Sequence, residues 1–479
     1  MYGRSGAARF RAGRGRGGAL PTDEATAVSL ARRLLDGNLL SVGLHSSVGA
    51  YNPPLFIYLT AVPLVVRDDP LAVAAFVGVL ATAAVILTYV VLRPRFGALV
   101  ALGAAALFAT APWSVLYGRK LWGQSVLPVV ATMFLWSMLT VLERPRTRAV
   151  ALIPILFCLA LQLNFSALAL VIPGTVLLLY RVRELHRPAL ALGVGAAALL
   201  LAPWLYHEAT TGFTDISLLS GAPEDGDDPR PVEAVRESLR LVGTDDWDYV
   251  AAGSLPAFVT DAGLAGKAAR YASVAAAAFL VLGLVTCVIC VVRSVGTAQR
   301  WPWFVIAPGV ASRALLLVWL GGVWLTIRGA DHLYPHYLIA TFPVIFAVQA
   351  LGLADLVGAV RRVRRPATVG AIALLVWVVT AFTAFTLSFH RFLDESGGAA
   401  GDYGVVYRDK AELASVLQTR GLRVADEPVV DFLISGNLNA PLGSARAVSV
   451  RNGFQDARPL ECDGELLSFG VLSTCLPAP

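Results

Sequence analysis

Residues 71–92 read LAVAAFVGVLATAAVILTYVVL, without one charged side chain, and run into Arg93-Pro94-Arg95-Phe96-Gly97. A hydrocarbon core about 30 Å thick is crossed by about 20 helical residues, so this stretch spans a membrane and the arginines mark its exit. The same alternation recurs at 97–113, 124–142, 149–163, 165–180, 189–206, 271–292, 314–327, 337–357 and 368–389. Of the 479 residues, 56% are hydrophobic and only 15% charged, which excludes a soluble globular domain. The expected fold class is an all-α polytopic membrane protein with about ten transmembrane helices. Amphipathic juxtamembrane helices precede them, and a small C-terminal α/β domain follows.

Orientation follows from the loops. Arg93/Arg95, Arg144/Arg146/Arg148, Arg181/Arg183/Arg187, Arg293/Arg300 and Arg361/Arg362/Arg364/Arg365 all fall on one side of the alternating segments. Arginine enrichment marks that side as cytoplasmic. The other side receives Arg119-Lys120, the long loop 207–270, the stretch 329–336 and everything after His390. The expected division is a disordered basic leader (1–21), a first external loop with juxtamembrane helices (22–70), a transmembrane domain (71–389) and an external C-terminal domain (390–479). This places a multi-pass protein in the cytoplasmic membrane with its chemistry outside. Arg313 is expected to snorkel at a cytoplasmic helix end, with Trp301 and Trp303 as interfacial anchors. An even number of spans with the C-terminus outside sets the N-terminus outside too, whereas Arg4, Arg9, Arg11, Arg14 and Arg16 suit the cytoplasm, so either the first helix of this topology is missing or the basic leader is tolerated outside.

The net charge of +6 comes almost wholly from arginines spread over loops and helix ends; Lys120, Lys267 and Lys410 are the only lysines. No basic patch forms, which argues against a nucleic-acid partner and leaves membrane lipids as the general one. Cys158, Cys287 and Cys290 lie in apolar segments and read as packing residues, whereas Cys462 and Cys475 sit in the polar tail, where an external location allows a disulfide. The acidic run Glu224, Asp225, Asp227 and Asp228 reads as a solvated turn. Asn164-Phe165-Ser166 matches a glycosylation sequon but falls at a membrane helix end.

Two short amphipathic elements precede the spans. Residues 24–35 place Ala27, Leu30, Ala31 and Leu34 on one helical face, with Thr22 or Asp23 as N-cap and Gly37 as stop. The apolar run opened by Pro53-Pro54 ends near Val66 and is too short to span, which makes it interfacial or re-entrant. In the tail, 404–407 reads as a strand and Asp409 to Glu412 as a capping box opening a helix with Leu413, Val416 and Leu417 on one face. Gly421 would stop that helix, and 429–434 is a second strand.

The order Asp23-Glu24, amphipathic helix, Pro53-Pro54-Leu55 with aromatics, Arg93 to Gly97, and Leu116-Tyr117-Gly118-Arg119-Lys120 resembles the C-type membrane glycosyltransferases. Their protein O-mannosyltransferase and lipid A aminoarabinose transferase groups are the nearest in pattern. Gln162 to Ala167, His336-Tyr337 with Pro343, and Gly401 to Gly404 resemble bacterial members. The resemblance implies a transferase that moves a sugar from a polyprenyl-phosphate donor to a hydroxyl of a lipid, glycan or protein acceptor outside the membrane. It implies Asp23 as the catalytic base with Glu24 beside it, since a positioned carboxylate that removes a hydroxyl proton contributes about 10²–10⁴-fold. Arg119, Lys120, Arg328, His332 and His336 are the candidates for binding the donor phosphate. Tyr51, Asn52, Trp122, Gln124, Tyr334 and Tyr337 are the candidates for sugar or lipid contact.

Simpler roles stand beside these. Asp23-Glu24 would also suit the positive end of a helix dipole, and Arg119-Lys120 would also anchor headgroups. His332 and His336, with Asp331, have a helical metal spacing, but Pro335 interrupts the helix, so no metal or other cofactor is expected. A transporter or lipid flippase would also be polytopic but needs ionisable residues near the bilayer midplane, and the spans hold very few. An inactive relative is the other alternative.

Overall fold

The computed structural model describes residues 21–46, 49–220, 231–298, 307–327, 333–361, 365–400, 403–420, 422–424, 446–448, 450–452, 462 and 464–476. The basic leader, Trp301 and Trp303, the acidic run at 224–228, Arg328, Asp331, His332, Gly421 and the expected strand 429–434 lie outside the described residues.

Helix α1 (Pro21–Leu35) starts on a proline whose fixed φ suits a first turn. Thr22 and Asp23, expected as N-cap candidates, therefore lie inside the helix. Ala27, Val28 and Ala31 are fully buried on the expected face. Gly37, at φ +92°, ends the helix in a conformation that favours glycine, and the Asn38 amide donates back to the Arg33 carbonyl. Against α1 packs the short apolar α2 (Leu55–Val66), and Arg32 reaches past it to Asp68 at 2.6 Å.

Next comes α3 (Pro70–Thr110), which breaks at Gly97 (φ +83°, ψ 171°) just after Pro94. The segments 71–92 and 97–113 are thus two arms meeting at a glycine, with α4 (Pro112–Tyr117) separate beyond them. The chain continues through α5 (Gly123–Glu143), α6 (Leu152–Leu163), α7 (Val171–Tyr180), α8 (Arg187–Thr211), α9 (Thr214–Ser220) and α10 (Pro231–Leu241). After these come α11 (Asp248–Ala251), α12 (Leu255–Ala298), α13 (Pro308–Thr326), a 3₁₀ turn at Pro335–Thr341, α14 (Phe342–Arg361) and α15 (Arg365–Ser396). Among the described residues seven helices are long and apolar enough to cross a membrane, against about ten expected segments. The difference has local causes. The arms of α3 count as one helix, and 149–163 and 165–180 each begin with a 3₁₀ turn that shortens the α-helical part. Between those two, Asn164 is extended (φ −164°, ψ 138°), and its side chain caps the second by accepting from the Ser166 amide at 2.9 Å.

The core forms where α14 packs against α3, α12 and α15. Within the Pro335–Ala359 span, 89% of its most apolar stretch is buried, which makes it the central post of the bundle. Its crossing with α12 is a backbone contact: a methyl group on Gly283 would collide with the Val348 carbonyl, and one on Gly352 with the Phe279 carbonyl. Gln349 donates to the Ala276 carbonyl across the same seam at 2.8 Å. Arg313 does not simply snorkel: it makes a bidentate pair with Asp355 of α14 (Nη1–Oδ2 2.8 Å, Nη2–Oδ1 3.1 Å), because the α13–α14 packing brings a carboxylate within reach.

The tail rests on this bundle. Strand β1 (Gly398–Ala399) pairs antiparallel with β2 (Gly404–Val405), so the expected strand 404–407 stops early. Helix α16 (Tyr407–Thr419) already begins at Tyr407, which puts Asp409 within the first turn instead of at a cap. Leu413 and Leu417 are buried on the expected face. Strand β3 (Leu422–Val424) runs parallel to β4 (Arg446–Val448), and β5 (Val450–Asn452), β7 (Leu472–Leu476) and β6 (Glu465–Phe469) form an antiparallel sheet in that order. Cys462 and Cys475 are disulfide-bonded, while Cys158, Cys287 and Cys290 are free thiols. The Tyr403 amide donates to the Val250 carbonyl (3.3 Å) and the Ala400 amide to Ser254 Oγ (3.0 Å), tying the tail to the α10–α12 region.

The helix crossing supplies a direct test. Gly283→Ala should lower thermal stability in detergent by roughly 1–3 kcal/mol through overpacking, whereas Gly78→Ala, with open space around it, should be neutral or slightly stabilising. Equal melting temperatures for the two variants would contradict the close crossing.

Candidate active site

Residues 118–123 connect α4 to α5, and Gly123 fixes where they go. A methyl group there would collide with the Leu163 carbonyl oxygen, so the loop sits directly on the C-terminal end of α6. Leu121 and Trp122 are buried. The Leu121 amide donates to Glu24 Oε1 at 3.0 Å, joining the first turn of α1 to the same loop.

The loop's two cations diverge. Arg119 Nη1 lies 2.7 and 2.9 Å from the ring nitrogens of His390; because a guanidinium only donates, this contact needs a neutral imidazole with an accepting nitrogen. Lys120 instead stacks its ammonium 4.1 Å from the centre of the Trp122 ring. A continuous circuit of ring contacts joins these two ends. Trp122 meets His336 edge-on (5.5 Å), His336 stacks on Tyr334 (5.5 Å) and touches Tyr337 (4.4 Å), and Tyr334 reaches Tyr249 (5.8 Å). Tyr249 contacts Trp113 (6.5 Å), Trp113 contacts Trp247 (5.4 Å), Trp247 contacts Phe389 (5.1 Å), and Phe389 neighbours His390 (6.3 Å), which closes on Arg119. Trp122 Nε1 and His336 Nδ1 are buried and make no hydrogen bond among the described residues. Leaving a buried polar atom unpaired costs about 1–3 kcal/mol, so two side by side in one aromatic wall suit a ligand that pairs with them.

The tail adds a lysine and a tyrosine. Lys410 of α16 is 9% exposed; burial pulls its pKa down while the negative charge of Glu24 holds it up. Burial likewise pushes the Tyr403 hydroxyl up, opposed by the Arg119 charge and reinforced by that of Glu24, so it is a neutral donor at physiological pH. Tyr403 also packs on Phe389 (5.9 Å). A cavity of about 820 Å³ opens against the circuit at Tyr249 and Tyr334, and its walls carry Glu233, Arg236, Asp246 and Asp248. Burial raises the Asp246 carboxyl, which Arg240 partly offsets by pairing with it.

The structure thus brings together Glu24, Arg119, Lys120, Trp122, His336, Tyr334 and Tyr337. Gln124 follows in the first turn of α5, half-buried. Tyr51 and Asn52 make different contacts: Tyr51 stacks on His45 (3.7 Å) and accepts from the Trp204 indole (3.2 Å), and Asn52 donates to the Leu44 carbonyl (3.0 Å). Asp23 is in α1, but its side chain lies outside the described residues, as do Arg328 and His332. Sequence reasoning missed Trp113, Trp247, Tyr249, His390, Tyr403 and Lys410. One signal was available for Lys410, because two of the three lysines in this arginine-rich chain lie in this cluster.

Comparison with known proteins agrees with this architecture. Residues 51–207 match the protein family described as Dolichyl-phosphate-mannose-protein mannosyltransferase, about a third of the chain. No curated protein sequence matches significantly. Among solved structures, ArnT from Cupriavidus metallidurans in the apo state is similar at TM-score 0.53 and 13% identity, with 96% of this chain and 94% of that chain covered. The same protein bound to undecaprenyl phosphate is similar at TM-score 0.50 over the same shares and at the same identity. The Archaeoglobus fulgidus oligosaccharyltransferase in the apo form is more distant, with TM-score 0.43, 12% identity, and 87% and 56% coverage. Residues 51–207 thus resemble that family, and nearly the whole chain shares the fold of the ArnT structure.

Proposed function

We propose that this protein transfers a sugar from a polyprenyl-phosphate donor to a hydroxyl group at the extracytoplasmic face of the membrane. The observation that carries the reading is the convergence at loop 118–123. There a carboxylate from α1, two cations and an aromatic wall with unpaired donor and acceptor atoms meet beside a cavity. The match to a family described by a polyprenol-type phosphate-sugar donor supports this, as does the fold likeness to a protein bound to undecaprenyl phosphate.

In this reading Asp23 takes the proton of the acceptor hydroxyl as its oxygen attacks the anomeric carbon. The carbon–oxygen bond to the donor phosphate breaks, and the polyprenyl phosphate leaves with the bonding electrons. Arg119 and Lys120 stabilise the charge that develops on it, aided by His336 and the Trp122 indole. Glu24 holds the loop by its bond to the Leu121 amide, and Lys410 balances its charge. The ring faces of Tyr334 and Tyr337 suit a sugar. Arg328 and His332 remain proposed phosphate contacts. The arginine-rich loops support chemistry at the outer face and a location in the cytoplasmic membrane.

The test is transfer of label from a radiolabelled polyprenyl-phosphate sugar by membranes containing the protein. Asp23→Asn should lose about 10²–10⁴-fold in rate; full rate in both Asp23→Asn and Glu24→Gln would remove the base assignment. Lys410→Met separates function from packing. With its pKa lowered by folding, Lys410 is held more weakly protonated in the native chain, so its contribution makes stability rise with pH between the lowered value and its ordinary one. Replacing it should leave stability equal or higher and flatten that slope, yet lower transfer. A variant both less stable and fully active would give Lys410 a purely structural role.

A further inference from the structure

Helix α8 ends in a tight reversal. Gly212 (φ +72°) and Phe213 (φ +61°) are both left-handed, and the second is a conformation that a phenylalanine rarely adopts. The reversal lays Asp215, in the first turn of α9, against His207 and Glu208 on the last turns of α8. One ligand-capable atom from each of the three lies within 4.8 Å of the others, and His207 Nε2 is 3.6 Å from Asp215 Oδ2.

Both carboxylates are covered by protein, Glu208 completely and Asp215 to 4% exposure. Glu208 Oε2 accepts from the Ile216 amide at 3.2 Å, but among the described residues neither Glu208 Oε1 nor Asp215 Oδ2 has a hydrogen-bond donor. The His207 contact is too long to serve as one. Two buried carboxylate oxygens facing each other and an imidazole call for a cation that the three can share.

We propose that His207, Glu208 and Asp215 bind a divalent cation of zinc-like chemistry. An imidazole with two carboxylates is a mixed nitrogen–oxygen set, which suits zinc and its neighbours better than calcium or magnesium, whose sites are built from oxygen. Zinc holds such ligands at about 2.0–2.2 Å in a tetrahedron, and side-chain rotation closes the present spacing onto one ion. Three protein ligands leave the fourth position to water, and His207, whose side chain is 22% exposed, provides the route in. The Tyr51 ring meets His207 edge-on at 6.0 Å, and the Trp204 indole is bonded to the Tyr51 carbonyl. A bound ion would therefore clamp the α8–α9 reversal where it abuts the loop ahead of α2. This site uses none of the residues assigned above to proton transfer or phosphate binding.

The experiment uses the full chain, purified in detergent and stripped with a chelator, and titrates it calorimetrically with ZnCl2. Saturable uptake of about one ion per chain is expected, and CoCl2 should give the visible d–d absorption of a four-coordinate site. Glu208→Gln and Asp215→Asn should each weaken zinc binding at least about 100-fold, beyond what loss of an outer-shell partner causes. The cobalt spectrum of the unaltered protein gives an answer even where a variant fails to fold. The proposal is overturned by the absence of saturable uptake, or by equal uptake in both variants. It is overturned too if the unaltered protein ignores zinc while Glu208→Gln is more stable, since the carboxyl pair would then share a proton.

Discussion

The contact between Gly123 and the Leu163 carbonyl sets the geometry on which the proposed chemistry depends. With no Cβ at 123, α5 can begin directly against the end of α6, and the preceding four residues have little freedom left. Those residues carry both cations and the amide that binds Glu24. A membrane bundle supplies little hydrophobic drive between helices, so backbone approach at glycines does much of the positioning. The Gly283–Gly352 crossing plays the same part at the centre of the bundle.

Electrostatics then organise what the backbone has placed. Glu24, Arg119, Tyr403 and Lys410 come from the first helix, a loop between spans, and two parts of the tail, yet Glu24 interacts electrostatically with Tyr403 and Lys410, and Arg119 with Tyr403. The tail is thereby part of the proposed site and more than a cover over it. The aromatic circuit does complementary work. It excludes water from around Trp122 and His336, which strengthens every charge interaction inside it.

Much of this was legible in the sequence because the signals were local. Uncharged apolar runs revealed the helices, arginine-rich turns their alternation, and the ordered motifs a resemblance to the C-type membrane glycosyltransferases, whose fold the chain shares with ArnT. The amphipathic face of α1 and the role of Arg119-Lys120 as part of a cluster could be read from residues near in sequence. Helix starts were less accessible: Pro21 and Tyr407 begin helices one or two residues before the polar residues that resembled caps. The pairing of Arg313 with Asp355, 42 residues apart, depends on helix packing that periodicity does not encode. Trp113 and Phe389 looked like ordinary span residues and Trp247 like part of the long external loop, since nothing in a hydropathy pattern distinguishes a ring in a wall from a ring in a core. Tyr51 and Asn52 sit beside Pro53-Pro54, and that neighbourhood said nothing of the α8 end that Tyr51 meets or of the Leu44 carbonyl that Asn52 binds.

The central claim is that the donor's phosphate binds at loop 118–123. An experimental structure of the protein with polyprenyl phosphate tests it most directly. The account predicts phosphate oxygens within hydrogen-bonding distance of the Arg119 or Lys120 side chain and of Trp122 Nε1 or His336 Nδ1. A phosphate seated elsewhere, with those four groups unchanged from the ligand-free structure, would contradict it.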